Sequence, residues 1–168
     1  IAPYLRVKPG MRVIDACAGA GGKSLHLSAL MENKGSIISM DVESWKLNEL
    51  KKRAKRNGAH NIETRLIDST KVIKRLHGAA DRLLLDVPCS GTGVIKRNPD
   101  TKWKLQPDHI ERVQGMQRDI INDYSKMLKT GGLMVYATCS ILRSENEAQV
   151  ERFLESHPEF ELIEQQRI

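Results

Sequence analysis

The stretch "MRVIDACAGAGGKSLHLSALMEN", residues 11–33, decides the fold. "MRVIDAC" (11–17) is a short apolar run bounded by polar residues, which predicts a buried strand. "AGAGGK" (18–23) is a glycine-rich turn. "SLHLSALMEN" (24–33) then carries apolar residues at helical spacing and is predicted to end at Gly35. Strand, tight turn and helix in immediate succession form the opening of a βαβ unit. Outward from it the alternation continues: "SIISMDV" (36–42) as strand two, "SWKLNELKKRAKRNG" (44–58) as an amphipathic helix, "IETRLID" (62–68) as strand three and "DRLLLDVP" (81–88) as strand four. A long loop leads to a helix over about 107–129, stopped by "TGG". "LMVYATCS" (133–140) is strand five, "SENEAQVERFLESH" (144–157) a last helix and "FELIEQQRI" (160–168) a sixth, polar-edged strand. This order predicts an α/β, Rossmann-like, mostly parallel sheet with helices on both faces.

In such a sheet the ligand lies beyond the carboxyl ends of the strands. Polar residues gather there: Asp15 and the glycine turn after strand one, Asp41 after strand two, Asp68 after strand three, "DVPC" after strand four and "TCS" after strand five. Five strand ends carrying polar groups on one edge signal a site more strongly than any one motif.

At 168 residues the chain is expected to form one domain with its own core. It has no apolar run of the roughly 20 residues a membrane span needs and no recognisable signal peptide. It opens at Ile1 without Met, and is expected to be a fragment. Three cysteines without zinc-ligand spacing predict free thiols in a reducing, cytoplasmic compartment and no metal. The formal charge is +6. Part of the excess lies in "KLNELKKRAKR" (46–56), read as the solvated face of a helix, and part in "KRNPDTKWK" (96–104), a loop whose basic and aromatic side chains suit phosphates and bases.

Three readings compete for "DACAGAGGKS" (15–24). A dinucleotide loop fits at Gly19 and Gly21 but would place its third glycine at Ser24. A phosphate loop fits "GGKS", with "LLLD" as a magnesium-binding strand, but would place its first glycine at Cys17. An S-adenosylmethionine fold needs close backbone approach after strand one, a carboxylate after strand two for the ribose hydroxyls and a polar group after strand three for the adenine. Asp41 and Asp68 stand at the last two places, though either would also serve as a helix N-cap.

Four blocks, in order, are "DACAGAGGK", "DVPCSGTGVIKRNPDTKW", "QRDIINDYSKMLKTGGLMVYATCS" and "SENE". On these the chain resembles the catalytic domain of the RNA 5-methylcytosine methyltransferases of the Sun/Fmu type, which modify ribosomal or transfer RNA. The pairing of "PCSG" with a later "TCS" is the most specific feature. The resemblance departs from the family at Gly19-Ala20, where Ala-Pro is usual. A preceding RNA-binding region and a final hairpin strand are not in the sequence, so the catalytic sheet is expected to be truncated there.

The resemblance implies S-adenosylmethionine as cofactor and RNA as partner, with a monomer favoured. It implies cofactor contacts from Asp15, Cys17, Ala18, Gly19, Gly21, Gly22, Lys23, Asp41, Asp68 and Asp86, and substrate contacts from Lys23, Arg97, Lys102 and Trp103. It also answers why two of three cysteines stand at strand ends. Carbon 5 of cytosine is a poor nucleophile until a thiolate adds to carbon 6, and the thiol must later leave. By resemblance Cys139 is that nucleophile and Cys89 assists release; the chemistry alone does not choose between them. A protonated Asp86 would hydrogen-bond the ring nitrogen, which requires burial to hold the proton. For Cys17 the residue pattern favours packing. A P-loop nucleotide hydrolase and a non-catalytic module binding S-adenosylmethionine and RNA remain as alternatives. An amino-group methyltransferase is disfavoured, because "DVPC" lacks the second proline and the aromatic of that motif.

Overall fold

The computed structural model describes residues 1–167, leaving aside the side chain of Lys104. Five strands form a single parallel sheet: β1 (Arg12–Asp15), β2 (Ser36–Asp41), β3 (Ile62–Leu66), β4 (Ala80–Asp86) and β5 (Leu128–Ala137), in the order β3-β2-β1-β4-β5. The helices are α1 (Gly22–Leu30), α2 (Ser44–Arg56), α3 (Thr70–Lys74), α4 (Thr101–Lys104), α5 (Pro107–Tyr124) and α6 (Glu147–Ser156). None of the described helices is long and apolar enough to cross a membrane.

The residues fall into two compact units. The first is Ile1–Val87 with Asp123–Ala137; the second is Pro88–Asn122 with the residues from Thr138 onward. The first holds the whole sheet. Ile37–Met40 of β2 and Leu83–Leu85 of β4 are buried without a break, as parallel strands covered on both faces require. Val13, Ile37 and Leu84 share one face and pack with Leu27 and Met31 at the end of α1 and with Ala2 and Leu5 from the N-terminal turn. Each of the valine, leucine, isoleucine and methionine side chains among them contributes about 1.5–3 kcal/mol by leaving water. α2 buries Leu47, Leu50 and Ala54, one helical stripe, against which Leu25 and Ile62 pack through Leu50 and Ala54.

Strands 1, 2 and 3 step one way across the sheet, and the chain then returns past β1 to β4. Strand order therefore reverses between β1 and β4, which is where an open sheet of this kind leaves its ligand crevice. Period 2 along β1 and β2 places Asp15, Ser39 and Asp41 on the face that α1 covers.

The second unit contains α4, most of α5, α6 and the two segments that follow β4 and β5. β4 leaves the first unit at Val87 and β5 leaves it at Ala137, so Cys89 and Cys139 each stand two residues past a crossing point.

Several expectations are corrected. Helix α5 stops at Tyr124 rather than near 129, and "TGG" lies inside β5. Ala80 pairs with Leu128 and Arg82 with Leu133, so β5 carries an excursion at 129–132, which Gly131 enters with φ 74°. The segment expected as a sixth strand has no ladder partner among its described residues 160–167; Ile168 lies outside them. Its residues are nearly all exposed, so alternation there had no buried face to serve. Helix α1 begins at Gly22 and closes at Met31, before Gly35, because Glu32 and Asn33 already turn left-handed. The last helix starts at Glu147 rather than Ser144, after a 3-10 turn over Arg143–Glu145.

Candidate active site

In the first unit the turn after β1 is fastened from several sides. Ala16 N–H donates to Leu84 O (3.0 Å) and Ala18 N–H to Met40 O (2.9 Å). Gly19 N–H donates to Asp41 Oδ2 (2.9 Å), and Arg53 of α2 donates to Ala20 O (2.7 Å). The basic run of α2 is otherwise the solvated face expected of it, with Lys51, Lys52, Lys55 and Arg56 exposed. Gly19 and Gly21 have φ 54° and 85°, which admits a tight left-handed turn at little cost. Gly21 has a second reason to be glycine: a Cβ there would stand 2.9 Å from Leu50 Cδ1. Gly22 opens α1 with free space around it.

Asp15 is fully buried at the end of β1. Its Oδ2 accepts the Ser24 hydroxyl (2.6 Å), and Ser24 in turn accepts from Ser39 (2.8 Å). Its Oδ1 has no hydrogen-bond partner. Burial is the main cause that raises its pKa to about 6, the Asp86 charge adds to this, and Ser24 and Lys23 oppose it. Asp41 is also buried and accepts Glu43 N–H on Oδ1 (2.9 Å), so it ties the β1 turn to the β2 turn. It is not a helix N-cap; Glu43 holds that position for α2. Asp68 is exposed and accepts the Ser69 hydroxyl, and Ser69, not Asp68, is the N-cap of α3. Lys23 and Asp86 form an ion pair that joins the β1 turn to the end of β4. The Asp86 side chain is 27% exposed in that pair, short of the burial its proposed general-acid role calls for. Burial, with Asp15, Asp41 and Asp86 nearby, pushes the Cys17 thiol well above its ordinary range. That keeps it protonated, consistent with a packing role.

In the second unit the two remaining cysteines meet. Cys89 Sγ lies 3.1 Å from Cys139 Sγ, and Cys139 N–H donates to Cys89 Sγ (3.3 Å). Cys139 is exposed and Cys89 half-buried; burial, with Cys139 beside it, pushes the Cys89 thiol up to about 12. Both segments are closed by hydrogen bonds around Glu145, which is fully buried. Glu145 Oε2 accepts Ser90 N–H (2.8 Å) and Gln117 Nε2–H (3.0 Å), and Oε1 accepts the Ser140 hydroxyl (2.9 Å). Glu145, Gln117, Ser90 and Ser140 were not singled out from the sequence. The signal was there, since "SENE" and "QRDIINDY" lie in the motif blocks, but nothing in spacing says that an acid and an amide turn inward.

Further along the same unit, Ser90, Arg97, Asn98, Thr101, Leu105 and His109 line an open cavity of about 640 Å³. Arg97 is exposed, and Trp103, 76% exposed, has the Lys102 ammonium 5.0 Å from its ring centre. Lys102 and Trp103 lie in the short helix α4 rather than in the loop expected over 96–104, and an exposed cation beside an exposed ring matches what stacking and phosphate contact require.

The profile of the family described as 16S rRNA methyltransferase RsmB/F matches residues 2–167. A probable ribosomal RNA small subunit methyltransferase B of Bacillus subtilis is 40% identical over 162 residues, covering 96% of this chain and 36% of that protein. The mouse tRNA (cytosine(72)-C(5))-methyltransferase NSUN6 is 36% identical, covering 99% of this chain and 37% of its own length. The crystal structure of NSun6 from Pyrococcus horikoshii with SFG, an S-adenosylmethionine analogue, superposes with a TM-score of 0.83 at 34% identity, covering 92% of this chain and 39% of that one. The chain thus spans little more than a third of the relatives it matches.

Proposed function

The chain belongs to the RsmB/F family of 16S rRNA methyltransferases, and from that premise we propose that it methylates carbon 5 of a cytosine in RNA, using S-adenosylmethionine and a covalent thiol–base intermediate. The observation that carries the cysteine part is the 3.1 Å approach of two thiols drawn from different strand ends.

The first unit fits the cofactor. The fastened turn Cys17–Gly22 exposes backbone at Gly19, where a Cβ would meet nothing within 4 Å. Asp41 retains free lone pairs for ribose hydroxyls, since each of its oxygens accepts one described bond and a carboxylate oxygen accepts two. Asp15 Oδ1 is an orphaned buried acceptor at the same strand edge, a place for a donor on the ligand. Asp68 stands exposed after β3 for the adenine side. When bound, S-adenosylmethionine supplies an electrophilic methyl group.

The second unit supplies the base chemistry. Cys139, the exposed thiol, loses its proton and adds to carbon 6 of cytosine, forming a C–S bond. The ring nitrogen takes up the charge that the addition delivers. Carbon 5 becomes enamine-like and would bond to the methyl group as the methyl–sulfonium bond breaks, with S-adenosylhomocysteine as the leaving group. Loss of the carbon 5 proton to a base then breaks the C–S bond and regenerates the Cys139 thiolate. Cys89, half-buried with its sulfur 3.1 Å from the Cys139 sulfur, is placed to assist release, and the exposed Cys139 to attack. Arg97, Lys102 and Trp103 take the RNA on the substrate side, where phosphate contacts position and stacking holds bases.

The test is a Cys89→Ala variant incubated with S-adenosylmethionine and RNA, run on a denaturing gel. A slow-migrating protein–RNA species that disappears in the Cys89→Ala/Cys139→Ala double variant supports the reading. An adduct that accumulates in a Cys139→Ala single variant instead, and not in Cys89→Ala, reverses the assignment of the two roles. No adduct, with S-adenosylmethionine and RNA both bound, favours a binding module that turns nothing over.

A further inference from the structure

We propose that Glu145 is a positioning residue for the cysteine pair: its buried carboxyl group sets the spacing of Cys89 and Cys139 by holding the residue that follows each of them. Ser90 directly follows Cys89 and gives its backbone N–H to Oε2 at 2.8 Å. Ser140 directly follows Cys139 and gives its hydroxyl to Oε1 at 2.9 Å. One side chain therefore spans two segments that are fifty residues apart in sequence. Gln117 extends the hold to the other side of Cys89: its Nε2 donates both to Glu145 Oε2 (3.0 Å) and to Pro88 O (2.8 Å).

The segments are also laced directly. Thr92 Oγ1 lies 3.0 Å from Ser140 Oγ and accepts Ile141 N–H (3.1 Å). Gly93 N–H donates to Cys139 O (2.9 Å), and a Cβ on Gly93 would stand 2.7 Å from that oxygen. Close approach is thus built into the backbone, while the hydrogen-bond acceptor at its centre is one acid. A carboxylate suits the place because both its oxygens accept. A glutamine of nearly the same shape has one accepting oxygen, so its NH₂ either leaves a backbone or amide donor without an acceptor or makes the Ser140 hydroxyl turn from donating to accepting. The substitution Glu145→Gln thus changes the hydrogen bonding with almost no change of volume.

The test reads the spacing itself. Purified protein, without RNA or S-adenosylmethionine, is treated with diamide, which takes two electrons and two protons from the two thiols as the Cys89–Cys139 disulfide forms and is itself reduced to the hydrazine. Peptide mapping follows that disulfide over time. Glu145→Gln, at a temperature where circular dichroism shows it folded, is expected to form it about tenfold more slowly, since a misplacement of about 1 Å costs reacting groups up to about 10²-fold. Phe153→Leu is the control. It loosens the α6 cluster, where Phe153 stacks on His157 and meets Phe160 edge-on, and leaves the hydrogen bonds of Glu145 in place; it is expected to react at the wild-type rate. Disulfide formation in Glu145→Gln at the wild-type rate overturns the proposal, as does equal slowing in Phe153→Leu. If Glu145→Gln does not fold, Ser140→Ala, which removes the partner of Oε1, takes its place with the same expectation and the same overturning result.

A second readout rests on the methyl-transfer reading. There, kcat of Glu145→Gln falls while KM for RNA and for S-adenosylmethionine stays unchanged, and equal loss in both parameters overturns a positioning role. The disulfide rate needs no turnover, so failure of the proposal and failure of the functional reading are separately visible.

Discussion

The β1 turn in the first unit and the cysteine segments in the second place functional groups by different means. The turn is held mainly through backbone: Ala16, Ala18 and Gly19 give their N–H groups to strand carbonyls and to Asp41, and glycine φ values set its course. The cysteine segments are held mainly through side chains, with Glu145, Gln117, Ser140 and Thr92 making the bonds. Backbone fastening tolerates changes of side chain but demands glycine at particular positions. Side-chain fastening demands particular polar residues, and each loss leaves a buried group unpaired, at about 1–3 kcal/mol. The turn proposed for the cofactor is built the first way here, and the neighbouring pair of thiols the second.

Three substitutions test that contrast, in descending order of effect. Cys139→Ala is expected to lower the rate of methyl transfer by about 10⁴-fold or more, the scale seen when a nucleophile is removed. S-adenosylmethionine binding, measured by calorimetry, should be unchanged, since the residues proposed for it lie in the first unit. Loss of that binding in the variant would break the separation drawn between the two regions.

Asp15→Asn is expected to stabilise the protein at pH 7 by up to about 3 kcal/mol, the value of roughly two pKa units. The sign follows from proton binding. Folded Asp15 keeps its proton to about pH 6, whereas the unfolded chain releases it near 3.8. Between those values the folded state binds more protons, so stability falls as pH rises through that window and stays reduced above it. Urea titrations from pH 4 to 7 should show that fall in the wild type and lose most of it in Asp15→Asn. A parallel slope in both would show that Asp15 is not the group responsible. A gain in stability joined to weaker S-adenosylmethionine binding would mark the orphaned Oδ1 as held for the ligand.

Asp41→Ala is expected to weaken S-adenosylmethionine binding about 10- to 100-fold, the range for hydrogen bonds to a charged group. It removes both the proposed ribose partner and the acceptor for Gly19 N–H. Asp41→Asn keeps an acceptor for one of its two backbone donors, so an intermediate affinity would apportion the effect between ligand contact and turn geometry. Wild-type affinity in Asp41→Ala would remove the residue from the site.

Particular residues show how far sequence reading reaches. Asp15, Gly19, Gly21, Asp41 and Asp86 were legible because each is local: a strand end followed by a turn, with glycine where φ is positive. The ion pair of Lys23 with Asp86 was not legible, since 63 positions separate them. "TGG" misled because glycines that end a helix and glycines that serve an irregular strand look alike in sequence; only the register of β5 against β4 distinguishes them. The alternation at 160–167 misled for the opposite reason, having a strand's period but no neighbouring strand.

By itself the sequence determined the parallel α/β sheet and the residue types gathered at the carboxyl ends of its strands, because hydrophobic period, glycine position and strand-end acids are properties of short segments. Tertiary structure decided that Cys89 and Cys139 stand 3.1 Å apart, that Asp15 is buried with one oxygen unpaired, and that Glu145 turns inward to hold both cysteine segments. Each of those depends on segments distant in the chain packing together, and the burial and hydrogen bonding that follow exist only once they do.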